Sequence, residues 1–266
     1  MVNNITPIFL KGTGNLLAGI YHDIAERMVG DIDFIFSKED YPRAIAILRD
    51  FGYSELERLE YYNLETNHYR RLQKENNIAA IEIHKEFLKE NYTDEFNYSF
   101  VKKDAQIIND VTVLSYANKL NLSIIANQIN DNGFYYKTMS LRSAYDVFLL
   151  SKKTNAKDAV NTLNNLTNPL NCFLAACNEV FNNVGSLEYN ITKKTTSYLS
   201  VFSNQFNDRE KTKRRQKRTK AYLFLKSRLN IICKSIIYKD YRAWLFKRMT
   251  DKSWYKEKLI KLGIRK

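Results

Sequence analysis

Gly30-Asp31-Ile32-Asp33-Phe34-Ile35-Phe36 sets two carboxylates one residue apart inside a run of strand formers. A strand sends successive side chains to opposite faces, so Asp31 and Asp33 leave one face while Ile32 and Phe34 enter a core. Two anions side by side on a rigid strand repel each other unless a cation sits between them, and a divalent metal with oxygen ligands is the usual solution. This segment predicts a sheet with one apolar face and one charged, chemically competent face.

Upstream, Ile8-Phe9-Leu10-Lys11-Gly12-Thr13-Gly14-Asn15 reads as an apolar strand broken by two glycines, and Leu16 to Tyr21 has the spacing of a short helix. A strand, a glycine turn and a helix N-terminus present backbone N–H groups to an anion, and glycine lets a phosphate approach the chain. Arg27, four residues before Asp31, offers a cationic fork for that phosphate. Downstream, Ile78-Ala79-Ala80-Ile81-Glu82-Ile83-His84 reads as a second strand, with Ile81 and Ile83 on one face and Glu82 and His84 on the other. If the two strands are neighbours, Glu82 adds a third carboxylate to the site of Asp31 and Asp33.

Leu10-Lys11-Gly12, Tyr21, Arg27, Gly30-Asp31-Ile32-Asp33, Gly52-Tyr53 and Glu82-Ile83-His84 together resemble the uncharacterised bacterial nucleotidyltransferase family of the DNA polymerase β-like superfamily. The resemblance covers roughly residues 5 to 150. It implies an α+β fold, a mixed sheet flanked by helices with a helical domain behind it, and two Mg²⁺ ions, or Mn²⁺ in their place, held by the acidic triad. On this resemblance Asp31 and Asp33 are metal ligands and catalytic, and Glu82 is the third carboxylate, completing the second ion's shell and helping to remove a proton. Gly12 and Thr13 fall at the triphosphate, with Lys11 and Arg27 as charge-neutralising partners. His84 matches a recurrent position and is read either as a group orienting Glu82 or as a structural histidine. The superfamily's usual Gly-Ser is Gly12-Thr13 here, which keeps the hydroxyl. The implied reaction is Mg-dependent transfer of a nucleoside monophosphate from an NTP, ATP among them, to a hydroxyl on a small molecule, sugar, protein or RNA. The alternative is a catalytically silent nucleotide-binding module on the same fold.

The 266 residues, 44% hydrophobic and 13% aromatic, suffice for a sizeable core. No apolar window of eighteen residues and no basic segment ahead of an apolar run occurs, so a cytoplasmic location is expected, with peripheral attachment at the inner membrane face as its variant. Cys172, Cys177 and Cys233 lack metal-ligand spacing and read as reduced thiols, the first two in a core helix. Residues 111 to 207 read as helices: Leu114 to Ile129, Leu141 to Leu150, and Pro169 to Phe181 capped by Asn168, with loops at Asn130 to Gly133 and Gly185 to Thr192. Arg142 and Asp146, at i and i+4, read as a surface pair. His22 and His68 carry no assignment.

Charge divides the chain. Residues 1 to 150 hold 16 Lys/Arg against 21 Asp/Glu, whereas residues 209 to 266 hold 21 against 4. The expected organisation is a catalytic domain over 1–110, a helical domain over 111–207 and a basic, aromatic-rich helical tail over 208–266. In the tail Tyr222, Leu225, Leu229, Ile232 and Ile236 recur at spacings of three and four, with Lys226, Arg228 and Lys234 between them. Beyond, Tyr241, Trp244, Phe246 and Trp254 alternate with Arg242, Lys247, Arg248 and Lys252. This mixture suits an anionic membrane surface or RNA, and equally a helix packed on the protein by its apolar stripe.

Overall fold

Among the described residues seven strands form one sheet: β1 (Ile8–Phe9), β2 (Asp31–Ile35), β3 (Ser54–Glu55), β4 (Leu72–Gln73), β5 (Ala80–His84), β6 (Gln106–Ile108) and β7 (Val111–Val113). Their spatial order is β3-β4-β5-β2-β1-β7-β6. The structure, a computed structural model, describes residues 5–56, 67–88 and 92–251. The sheet is mixed: β2 is parallel to β5 and β1 to β7, while the other neighbours are antiparallel. Sheet and flanking helices make the α+β, nucleotidyltransferase-like arrangement expected above.

Two cores hold the sheet in place. Phe34, Phe36, Ile81 and Ile83 pack on one face with Ala44 and Ile45 of helix α2 (Asp40–Asp50), which follows β2. Burying each large apolar side chain there contributes roughly 1.5–3 kcal/mol. Ile35, Ile8 and Leu10 join a larger core with Leu120, Val147, Leu170 and Phe173. That core is built by α4 (Tyr116–Ile125), α6 (Leu141–Ser151), α7 (Ala156–Asn161) and α8 (Thr167–Val180). The short α3 (Tyr98–Lys102) and α5 (Gly133–Tyr136) lie between these elements in sequence, and α9 (Lys193–Asn207) packs on α8 through Tyr198 and Phe202. Cys172 and Cys177 are buried in α8, as expected of core thiols.

Several local expectations are corrected. The glycines do not form a turn ahead of a helix at Leu16 to Tyr21; they lie inside α1 (Lys11–Leu17). The strand ends, Lys11 takes a left-handed φ of 48°, and the Gly14 N–H bonds Leu10 O at 2.8 Å. A Cβ on Gly14 would stand 2.5 Å from the Phe9 carbonyl oxygen, so close helix-strand packing overrides glycine's poor helix propensity. α8 starts at Thr167, with Asn168 inside its first turn rather than capping it. Pro169 falls where its missing N–H has no helical partner to lose. The helix read from Leu114 ends in a π-helical stretch, Ala126–Asn130, and the loop read at Asn130 to Gly133 narrows to Asp131 and left-handed Asn132 before helix resumes at Gly133. Residues 111–113, read as helical, are β7.

The chain divides into two units, Met1–Asn207 and Asp208–Lys266. In the second, α10 (Arg209–Ile237) is capped by Asp208, whose carboxylate accepts from the Lys211 N–H at 2.8 Å. α11 (Lys239–Thr250) folds back on it, and Arg242 Nη1 donates to the last carbonyls of α10, Ser235 O at 3.3 Å and Ile236 O at 2.9 Å. Trp254 and Lys252 of the sequence reading lie outside the described residues. No helix among the described residues is long and apolar enough to cross a membrane.

Candidate active site

Parallel pairing of β2 and β5 sets Asp33 opposite Glu82 and Ile35 opposite His84. Neighbouring strands are about 4.8 Å apart, so alternation puts the polar side chains of both strands on one face while Ile81, Ile83 and Phe34 enter the core beneath. Asp33, Glu82 and His84 are all buried, at 7%, 6% and 3% exposure. Asp31, nearer the strand's start, is half-buried. The alternation read for the two strands holds; Asp33 and Glu82 come together with His84, whereas Asp31 is outside that group and meets Glu82 through Arg71.

Buried anions require compensation. Lys11 Nζ donates to Asp33 Oδ1 at 2.7 Å and stands 3.8 Å from Glu82 Oε2. Arg71 Nε donates to Glu82 Oε1 at 2.7 Å, while its Nη2 lies 3.1 Å from Asp31 Oδ2. One cation thus links the Asp33 and Glu82 carboxylates and the other links Glu82 and Asp31. Burial pushes the Asp33 carboxyl up, but the His84 hydrogen bond and the Lys11 charge outweigh it and hold its pKa below the usual carboxylate value. Asp31 is shifted the other way: burial raises it, and the Glu82 and Asp33 charges add to burial against the opposing Arg71.

His84 Nε2 lies 2.9 Å from Asp33 Oδ1 and 3.2 Å from Lys11 Nζ. Its Nδ1 is buried with no hydrogen-bond partner. A bare buried lone pair costs less than an orphaned N–H, and burial lowers the ring's pKa. We therefore assign the neutral tautomer in which Nε2–H donates to Asp33. His68, unassigned from sequence, bridges to His84 across the strands with ring centroids 5.7 Å apart.

The donor chemistry fits a divalent cation. One potential ligand atom from each of Asp33, Glu82 and His84 lies within 4.8 Å of the others, giving two carboxylates and an imidazole nitrogen. Carboxylates suit Mg²⁺ and Mn²⁺, and an imidazole is tolerated better by the transition ion.

Gly12, Thr13 and Arg27 come together beside this cluster. The Thr13 hydroxyl donates to Asp31 O at 3.2 Å, tying α1 to β2. The Arg27 guanidinium lies against Gly12, where a Cβ would meet its Cζ at 3.1 Å. Arg27 is also held elsewhere, by Nε to both Asp146 oxygens at 3.2 and 3.3 Å and by Nη1 donating to Met28 O at 2.6 Å. Asp146 accepts from Tyr21 OH at 2.7 Å as well. The expected surface pair of Arg142 and Asp146 is thereby corrected: Arg142 is exposed, and Asp146 is 4% exposed with Arg27 as its partner.

A family model of uncharacterised nucleotidyltransferases matches residues 2–181. The chain belongs to that family. No curated protein and no solved structure matches it. The match spans the sheet and the helices through α8, so the acidic cluster lies wholly within the nucleotidyltransferase region, and a general nucleotidyl-transfer activity is supported. Two residues of this nucleotidyltransferase site were missed from sequence. Arg71 precedes β4, whose Leu72 pairs with Ile81, and only that antiparallel register brings its side chain to Glu82. Asp146 was read as the surface partner of Arg142, whereas its partner in the fold is 119 residues away.

Proposed function

We propose that this chain is a metal-dependent nucleotidyltransferase that moves a nucleoside monophosphate from an NTP to a hydroxyl acceptor. The observation that carries the reading is the register of Asp33 against Glu82, with Asp31 on the same strand, inside a family-matched sheet. Asp31, Asp33 and Glu82 would hold Mg²⁺ or Mn²⁺, with His84 orienting the Asp33 carboxylate through its Nε2–H. When bound, the ions supply positive charge to the triphosphate and make the acceptor hydroxyl more acidic. Gly12 and Thr13 open α1, where first-turn N–H groups lack helical partners and can meet phosphate oxygens. Lys11, on a flexible stem, is placed to exchange its contact with Asp33 for a phosphate. In the reaction the acceptor oxygen bonds to the α-phosphorus, the bond to the β-phosphate oxygen breaks, and pyrophosphate leaves.

A silent nucleotide-binding module is the second reading, favoured by one observation: Lys11 and Arg71 already neutralise the carboxylates directly. The experiment that separates the two is calorimetric binding of each of the four NTPs, with and without Mg²⁺ or Mn²⁺, followed by transfer from the bound, α-³²P-labelled nucleotide to acceptor pools. Asp33→Asn should retain the fold and reduce transfer by more than about a hundredfold, the equivalent of several kcal/mol of lost charge stabilisation. Metal-independent binding with no transfer to any acceptor favours the silent module, and a fully active Asp33→Asn would remove the metal role.

A further inference from the structure

One line of residues along α10 is exposed from end to end at spacings of three and four. It begins with Lys211, Arg214 and Arg218. It continues in the same register with Tyr222, Leu225, Leu229, Ile232 and Ile236, of which Leu225, Leu229 and Ile236 are 61%, 63% and 74% exposed. The buried residues of this helix, Ile231 and Ser235, lie off this line. The apolar half alone runs ~21 Å at 1.5 Å per residue. Single exposed leucines need no explanation, but a row of five large apolar side chains in helical register does.

The composition of the row and its margins selects the partner. At 100° per residue, Lys226 and Arg228 stand about 80° to either side of the apolar midline; Lys226 is exposed, and the Arg228 guanidinium lies over the Phe224 ring at 4.9 Å. Residues 209–266 hold 21 basic and 4 acidic side chains, so the complementary surface is anionic. Four of the five apolar residues are aliphatic and offer no ring for a base to stack on, which counts against single-stranded RNA. A second copy of α10 would set its own lysines and arginines against like charges, with few carboxylates to answer them. No described helix is long and apolar enough to cross a bilayer, so a lipid partner would be met at its surface.

We propose that this face of α10 docks on an anionic phospholipid surface, with Leu225, Leu229, Ile232 and Ile236 entering the acyl boundary and Lys211, Arg214 and Arg218 meeting headgroup phosphates. The row is exposed and belongs to the second unit, outside the family-matched residues, so the inference stands independently of the nucleotidyl-transfer reading.

The test is flotation of the full chain with vesicles of phosphatidylcholine containing 30% phosphatidylglycerol, against pure phosphatidylcholine. The expected result is binding to the anionic vesicles alone, weakened by salt. Leu229→Ser/Ile232→Ser should weaken it at least tenfold, and Lys211→Gln/Arg214→Gln/Arg218→Gln by on the order of a hundredfold. All five substitutions are at exposed positions, and unchanged thermal melting verifies the fold. No binding to anionic vesicles by the folded protein would overturn the proposal. So would binding that both variants retain, concentration-dependent dimerisation abolished by Leu229→Ser/Ile232→Ser, or binding to a single-stranded RNA homopolymer stronger than to the vesicles.

Discussion

Arg27 and Asp146, 119 residues apart in sequence, form a buried ion pair in which the guanidinium Nε is 3.2 Å from the carboxylate and Tyr21 OH completes the acceptor's shell at 2.7 Å. Their side chains are 12% and 5% exposed. The pair fastens the segment between α1 and β2 to helix α6, and with it the position of Gly12 against the Arg27 guanidinium. Desolvation raises the Asp146 pKa, and the Tyr21 hydrogen bond and the Arg27 charge offset only part of that cost.

Breaking such a pair leaves a buried charge without its counterpart. Asp146→Ala is expected to lower unfolding free energy by about 3–5 kcal/mol, and Arg27→Met/Asp146→Ala by clearly less than the losses of Arg27→Met and Asp146→Ala added together. Urea denaturation of the four proteins checks this. A loss under about 1 kcal/mol for Asp146→Ala would show that the pair is not holding the segment.

Gly14 and Gly12 should respond differently to the same methyl group. At Gly14 the new Cβ meets backbone, the Phe9 carbonyl oxygen at 2.5 Å, whereas at Gly12 it meets side-chain atoms of Arg27 and Val29 at 3.1 Å. Gly14→Ala is expected to cost about 1–3 kcal/mol through displacement of α1 from β1. Gly12→Ala should cost less, because side chains can shift by tenths of an ångström, and helix propensity partly offsets the crowding. Melting temperatures in the reverse order would contradict the packing described for α1.

Lys119 gives a stability signature in alkali. Its ammonium, 3% exposed and donating to Leu114 O, has its pKa lowered by burial from 10.5 to about 8. Between about pH 8 and 10.4 the unfolded chain therefore binds more protons at this position than the folded one, so this group makes stability rise with pH across that window. Relative to Lys119→Met, wild type should gain roughly 2.5 kcal/mol between pH 7 and 10. The comparison is the difference in urea midpoints at pH 7, 8, 9 and 10, which cancels the other titrating groups. A flat difference would mean that the amine keeps its ordinary pKa.

The alternation that exposes the site was legible because it is local. Asp31, Asp33, Glu82 and His84 sit in strands whose apolar partners, Phe34, Ile81 and Ile83, mark the opposite face without any knowledge of the fold. Their meeting required one further step, adjacency of the strands, which the family resemblance supplied. What escaped reading was set by contacts distant in sequence. Gly12 and Gly14 look like a turn because glycine disfavours helix, and only the approach of α1 to the Phe9 carbonyl shows why they are helical. Arg71 sits among ordinary surface-type residues, and its role follows from a strand register. Asp146 looked exposed because Arg142 offered a nearer partner at i−4 than the one the fold provides.

Lys11 holds the position between Asp33 and Glu82 that a metal would share, and its removal should separate the two kinds of cation. Without metal, Lys11→Met leaves Asp33 and Glu82 with less compensation, and the melting temperature should fall. Added Mn²⁺ binds the folded state only, so it should raise the melting temperature of Lys11→Met more than that of wild type, where the ammonium competes for the same carboxylate oxygens. Nucleotide affinity should move the other way, since the variant has lost a charge for the triphosphate. Thermal melts across a Mn²⁺ titration, with and without NTP, read both effects in one series. Equal Mn²⁺ shifts in the two proteins would place the ion away from Lys11, and with it away from Asp33.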